Sequence, residues 1–226
     1  EASVALIRRR AAQLNCDALL EAEERALEPL CEVAGGEPQA LMMAVGLVKA
    51  ADSLVSLSEL ADEVVRDRHN ALYGAACNSL DPDEKALLNV IVLSEESISL
   101  SALRQIQQDL GRPFSEQAIM EMIDVGLVRK WPTRLDTRLK PASRLMREYC
   151  RHRLDTMHVD EEERLLAAMA SYYGRQCEVN GYENWEGYDW LEENLVEIEA
   201  ALKIHLRQVP PAWRPFRELL GALYYF

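Results

Sequence analysis

Residues 99–140, SLSALRQIQQDLGRPFSEQAIMEMIDVGLVRKWPTRLDTRLK, decide how this chain is folded. Leu100, Leu103, Ile106 and Leu110 recur at helical spacing, and Ser99 stands where an N-cap belongs. Gly111 ends that helix, because glycine enters the left-handed conformation without a Cβ clash. Ser115 caps a second helix, EQAIMEMIDV, whose apolar stripe runs through Ile119, Ile123 and Leu127 past Gly126. LVRKW then reads as a short strand, Pro132-Thr133-Arg134 as a turn, and the residues near Arg138-Leu139 as a second short strand.

Working outward, a helix over Ala71–Leu80 is followed by Asp81-Pro82, a cap and first-turn pair, and by the apolar helix EKALLNVIVL. After the ribbon comes the helix SRLMREYCRHRL. Helix, helix, turn, helix and a short β-ribbon is the order of a winged-helix domain, here residues 70–158. Residues 1–69 read as a helical subdomain. Ser3 caps a first helix with Val4, Leu6, Ile7, Ala11 and Leu14 on its apolar face, and a second spans about Glu21 to Ala34. Residues 33–48, VAGGEPQALMMAVGLV, hold a tight elbow at Gly35-Gly36 and a third helix from Pro38 to about Lys49. Ser56 caps a fourth, LSELADEVVRD. Residues 159–226 return to helices: EERLLAAMASYYGRQC, a loop EVNGYENWEGYDW, then WLEENLVEIEAALKIHLRQ. Pro210-Pro211 precede a further helix from near Trp213. The expected class is mainly α: a lid-like helical subdomain, a winged helix, and the start of TPR-like antiparallel helices.

The chain has 226 residues, 49% hydrophobic and 28% charged, which describes a globular protein with ample core. No apolar run reaches the roughly 18 residues of a membrane span, and no signal peptide precedes the first helix, so a cytoplasmic protein is expected. The five cysteines (Cys16, Cys31, Cys77, Cys150 and Cys177) are odd in number and form no Cys-x-x-Cys pair. They are expected to be reduced, packed thiols rather than metal ligands. The net charge of −13 is uneven, and residues 129–153 carry nine basic side chains against Asp136 and Glu148. An acidic chain with one basic stripe is not a general nucleic-acid binder. The start at Glu1 and the stop at Phe226, inside the apolar run LLGALYYF, are expected to be cuts through a longer polypeptide.

An ordered set of segments resembles the signal-transduction STAND ATPases, the class that includes MalT-like and AfsR-like bacterial regulators, bacterial antiviral sensors and the NB-ARC proteins of plants and animals. EASVALIRRRAAQL is similar to the family's lid helix, and GGEPQAL to its Gly-x-Pro-Leu-Ala-Leu motif, with Gln39 in place of the usual leucine. MIDVGLVRKW and RLMREYCRHRL resemble two winged-helix segments, and SYYGRQC and WLEENLVEIEAALKIHL the helices that open the sensor repeats. The resemblance implies that Gly36 and Pro38 lie against the adenine of ADP or ATP. It places Ser143 where NB-ARC proteins carry the phosphate-sensing histidine of Met-His-Asp, and Arg144 at the aspartate. Arg144 or Arg147 is the nearest replacement for that histidine. The family's P-loop and acidic Mg²⁺ motif have no counterpart in this chain, so most of the nucleotide site is expected in an upstream domain. No catalytic residue and no metal ligand is expected here; the parent protein is the ATPase.

The implied function is the regulatory arm of a nucleotide switch. Closure over ADP or ATP would be coupled to a ligand or protein trigger on the helical repeats, and activation to homo-oligomerisation, in transcription regulation or antiviral defence. A second reading is a DNA-binding winged-helix regulator using the ribbon Arg129–Lys140. Against it, EQAIMEMIDV carries Glu116, Glu121 and Asp124 and no Lys or Arg, a poor set for the major groove. A third is a protein-interaction module anchored by Tyr182, Trp185, Tyr188 and Trp190, rings that otherwise pack between repeats. His69, His152, His158 and His205 read as surface or helix-end residues. Asp160-Glu161-Glu162-Glu163 read as a helix start, and Glu192, Glu193, Glu197 and Glu199 as a solvated helix face.

Overall fold

The computed structural model describes residues 2–51, 68–154, 159–180 and 184–207, with Arg217, Leu220 and Gly221 beyond them. The helix expected after Ser56 and the one expected near Trp213 lie outside the described residues. In chain order the helices are α1 (Ala2–Leu14), α2 (Asp17–Glu21), α3 (Glu24–Ala34), α4 (Pro38–Ala51), α5 (Arg68–Ser79) and α6 (Pro82–Leu93). They continue with α7 (Leu100–Asp109), α8 (Glu116–Asp124), α9 (Arg144–Leu154), α10 (Val159–Asn180) and α11 (Tyr188–Arg207). Three short strands, β1 (Ile98–Ser99), β2 (Val128–Pro132) and β3 (Thr137–Pro141), form one sheet. The protein is therefore mainly helical with a small antiparallel sheet. Its contacts fall into two compact units, one of residues 1–88, 115–129 and 141–149, the other of 89–114, 130–140 and 150–226.

In the first unit the helix starts differ from the sequence reading in two places. Ser3 lies inside α1 rather than capping it, since the helix already begins at Ala2. The helix expected from about Glu21 begins at Glu24, and the short helix α2 stands before it, because Ala22 and Glu23 are extended (ψ 141° and 152°). Arg8 stabilises that break. Its guanidinium donates to the Leu19 carbonyl at 2.5 Å and to those of Leu20 and Ala22, groups a helix C-terminus leaves unbonded. The glycine elbow is as expected: Gly35 and Gly36 have φ of 59° and 78°, and the Gly35 N–H donates to Glu32 O at 3.1 Å.

Helix α4 is the centre of this unit, with Leu41, Met43, Ala44, Val45, Leu47 and Val48 buried. Gly46 lets it touch the end of α8: a Cβ there would lie 2.2 Å from the Asp124 carbonyl oxygen. Arg10 donates to the carbonyls of Ile123 (3.2 Å) and Asp124 (3.1 Å), and Lys49 pairs with the Asp124 carboxylate at 2.6 Å. Gly126, at φ +77°, turns the chain under Met43. At the start of α6 the expected cap is a reciprocal box: Glu84 N–H donates to Asp81 Oδ1 (2.8 Å) and Asp81 N–H to Glu84 Oε2 (2.7 Å).

In the second unit the expected ribbon gains a third strand. β1 pairs antiparallel with β3, Ile98 opposite Leu139 and Ser99 opposite Arg138, giving the order β1-β3-β2. Two residues are too few for an alternating pattern to be visible in sequence. Ser99 then caps α7, its Oγ accepting from Ala102 N–H at 3.1 Å. Helices α10 and α11 pack together, and Leu165, Met169, Tyr173 and Cys177 on one and Leu191, Ile198 and Ala201 on the other are buried. Trp190 lies 6.3 Å from Tyr173, ring to ring, so this aromatic belongs to the packing of the helical pair. No helix among the described residues is long and apolar enough to cross a membrane.

Gly46→Ala should destabilise the first unit by about 2 kcal/mol, the usual cost of forcing atoms into a closed contact. Gly36→Ala meets no atom within 4 Å and should cost only the left-handed strain, about 1 kcal/mol. Urea denaturation of the two variants measures the difference, and equal costs would refute the close contact.

Candidate functional site

The candidate site lies in the first unit, where the N-termini of α4 and α9 meet α5. Ser143 Oγ accepts from the Met146 N–H at 3.0 Å, so it caps α9. The same oxygen is 3.0 Å from Tyr73 Oη. Tyr73 is buried, its ring 5.7 Å from that of Tyr149. Gly74 leaves room for that second ring, since a Cβ at 74 would lie 3.0 Å from Tyr149 Oη. Between these groups is a cavity of about 70 Å³, lined among others by Glu37, Gln39, Ala40, Tyr73, Ser143 and Leu145. It holds an acceptor and donor pair at one side and the first turn of α4 at the other.

Of the residues expected to carry the site, Ser143 lines this cavity. Gly36 and Pro38 are exposed and flank it, while Glu37, Gln39 and Ala40 form its wall. Arg144 is turned out to solvent, its side chain 90% exposed and paired with Glu148 at 2.7 Å. That hydrogen bond holds its guanidinium pKa above the ordinary value. Arg147 is half-buried and is not on the cavity wall. Tyr73 was not foreseen; a lone large ring in ALYGAAC, among small residues, is the only signal the sequence carries for it.

Elsewhere in this unit a carboxylate pair forms at the foot of α6. Glu84 is buried, and burial pushes its carboxyl above the usual range. Its hydrogen bond to Glu121 and the charges of Asp81 and Glu121 push the same way, against the Asp81 N–H.

The second unit corrects two expectations about charge. The basic ribbon is largely occupied by its own unit. Arg138 is buried and donates to Ser97 Oγ (2.8 Å), Ser97 O (2.6 Å), Glu193 O (2.9 Å) and Asn194 Oδ1 (3.0 Å). Arg134 pairs with Asp189, and Lys140 Nζ sits 4.1 Å above the Trp131 ring. Glu197 is not part of a solvated face but only 3% exposed. Its carboxylate accepts from the N–H groups of Glu95 (3.1 Å), Glu96 (2.9 Å) and Ser97 (3.3 Å). Burial raises its pKa, against those three donors and Arg138. Glu193 is likewise engaged, accepting from Thr133 Oγ1 at 2.8 Å. His205 is at a helix end but buried.

Comparison of the chain with protein-family models, with curated proteins and with solved structures finds no match to any of them. The functional reading therefore rests on the residues themselves.

Two measurements follow from these charges. With its pKa raised in the fold, Glu84 takes up a proton on folding. That contribution is present below the ordinary glutamate value of about 4.3 and lost as pH rises through the raised value. Glu84→Gln, which can still accept from Asp81, should flatten the fall in thermal midpoint from pH 4 to pH 7; an unchanged fall would remove Glu84 from the account. Glu197→Ala strands three N–H groups and should cost about 3 kcal/mol in chemical denaturation, whereas the exposed Glu199→Ala should cost under about 0.5 kcal/mol.

Proposed function

We propose that this chain is the regulatory arm of a STAND-type, nucleotide-driven signalling switch. Residues 1–69 act as its lid, 70–158 as its winged helix, and 159–226 as the start of its TPR-like sensor repeats. The observation that carries the reading is the cavity that brings the Gly-x-Pro turn of α4 together with Ser143 and Tyr73. These are the two places where the family resemblance locates contacts to adenine and phosphate. A volume of about 70 Å³ is that of two or three water molecules, far less than a nucleotide. It suits an edge that completes a site built mainly by a P-loop domain. The element order α6, β1, α7, α8, β2, β3 also supports the winged-helix assignment.

In this mechanism ADP or ATP, with Mg²⁺ held by the upstream domain, is gripped at its edge by the turn before α4. The Tyr73–Ser143 hydroxyl pair, rather than Arg144, stands nearest the position of the family's histidine. A ligand or protein on the helical repeats shifts the balance between two arrangements of rigid modules, and the shift permits a homo-oligomer to form. The switch works in the cytoplasm, in transcription regulation or antiviral defence. DNA binding by this segment is disfavoured: α8 is acidic, Arg10 occupies its C-terminal carbonyls, and Arg138 is withdrawn from the ribbon surface.

The whole gene product, purified intact, should release ADP on acid treatment. Pro38→Ala combined with Tyr73→Phe should lower the retained share about tenfold, the effect of two modest contacts. Absence of nucleotide, or micromolar and salt-sensitive binding to duplex DNA by this chain, would overturn the reading.

A further inference from the structure

The second unit contains a larger cavity, about 300 Å³ in volume, that has no part in the nucleotide reading. One wall is a stripe of α10, Leu166, Met169, Ala170 and Tyr173; the other is a stripe of α11 that includes Glu197, Ala201 and Ile204. Both stripes follow helical i, i+3, i+4, i+7 spacing, positions where paired helices usually interdigitate. Alanines at 170, 200 and 201 leave the space unfilled.

Two polar groups of this lining, one on each helix, are unusual. Tyr173 is 1% exposed, and its hydroxyl has no hydrogen-bond partner among the described residues. Its ring packs beside those of Tyr172, 5.1 Å away, and Trp190. The Glu197 carboxylate is held by backbone N–H groups, and the hydrogen bonds of Arg138 go to Ser97, Glu193 and Asn194 instead. The charge of Arg138 is close enough to favour the carboxylate, but no cation hydrogen-bonds to it among the described residues, and burial of such a charge remains costly. Glu95, Arg151, Glu162 and Lys203 also line the cavity, with Arg151 4.0 Å from Glu95. The lining therefore combines a carboxylate on α11 and a buried phenol on α10 with hydrocarbon side chains.

We propose that this cavity binds a small primary amine with an apolar body, its ammonium directed to Glu197 and Tyr173 Oη and its hydrocarbon against Leu166, Met169 and Ile204. At about 30 Å³ per water-sized group, the space takes roughly ten non-hydrogen atoms. The Tyr173 hydroxyl is buried, so binding of the ammonium requires a small shift of its ring.

Calorimetric titration of the whole chain with 2-phenylethylamine, 2-phenylethanol and 3-phenylpropionate tests this. The amine should bind about tenfold more tightly than the alcohol, as a charge-assisted hydrogen bond requires, and the carboxylate should not bind. Tyr173→Phe should weaken the amine roughly fivefold, the effect of one hydrogen bond. Ala170→Leu, which fills the cavity, should abolish amine binding while circular dichroism stays that of the folded chain. No amine binding, equal affinity for amine and alcohol, tighter binding of the carboxylate, or amine binding that survives Ala170→Leu would each overturn the proposal. None of these results bears on nucleotide retention, so the two readings fail separately.

Discussion

The Glu197 carboxylate is the interaction on which the second unit is organised. It sits on α11 yet accepts all three N–H groups of the turn at residues 95–97, immediately before β1. A turn that exposes three successive donors cannot be buried without an acceptor, because each unmet N–H carries a desolvation cost. Glu197 removes that cost, and Arg138 on β3 secures the same turn from the other side through Ser97. Sheet, turn and helical pair thus share one polar core. The three bonds fix where α11 sits along the turn before β1.

The first unit uses a different device. Its α4 approaches the end of α8 backbone to backbone through Gly46, and Arg10 and Lys49 supply positive charge to that helix end. Cations at a helix C-terminus satisfy orphan carbonyls and oppose the dipole at once. The same helix, at its other end, forms the wall of the small cavity beside Tyr73 and Ser143.

Much of the local structure was legible because its causes are local. Ser99, Ser115 and Asp81 cap their helices as the spacing predicts, and Gly35, Gly36, Gly111 and Gly126 all have the positive φ that ends a helix. What escaped the sequence depends on partners far along the chain. Glu197 and Glu192 look alike in a run of acidic residues, and only the turn a hundred positions earlier makes one of them a buried acceptor. Arg138 reads as one more base in a basic ribbon until its pairing opposite Ser99 turns it inward. The meeting of Tyr73 with Ser143 is of the same kind. The site residues flagged by motif, Gly36 and Pro38, flank the cavity, whereas their unremarkable neighbours form its wall.

The double-glycine elbow has a consequence for how this protein can vary. Two successive left-handed residues are nearly exclusive to glycine, so the joint between α3 and α4 has a fixed length and hand. Each residue of an α-helix turns it by about 100°. A single insertion or deletion in the elbow would therefore rotate α4 out of phase. Gly46 would leave the Asp124 carbonyl and Ala40 would leave the cavity in the same step. The elbow acts as a phase lock, and length change there should be tolerated far less than substitution at Glu37.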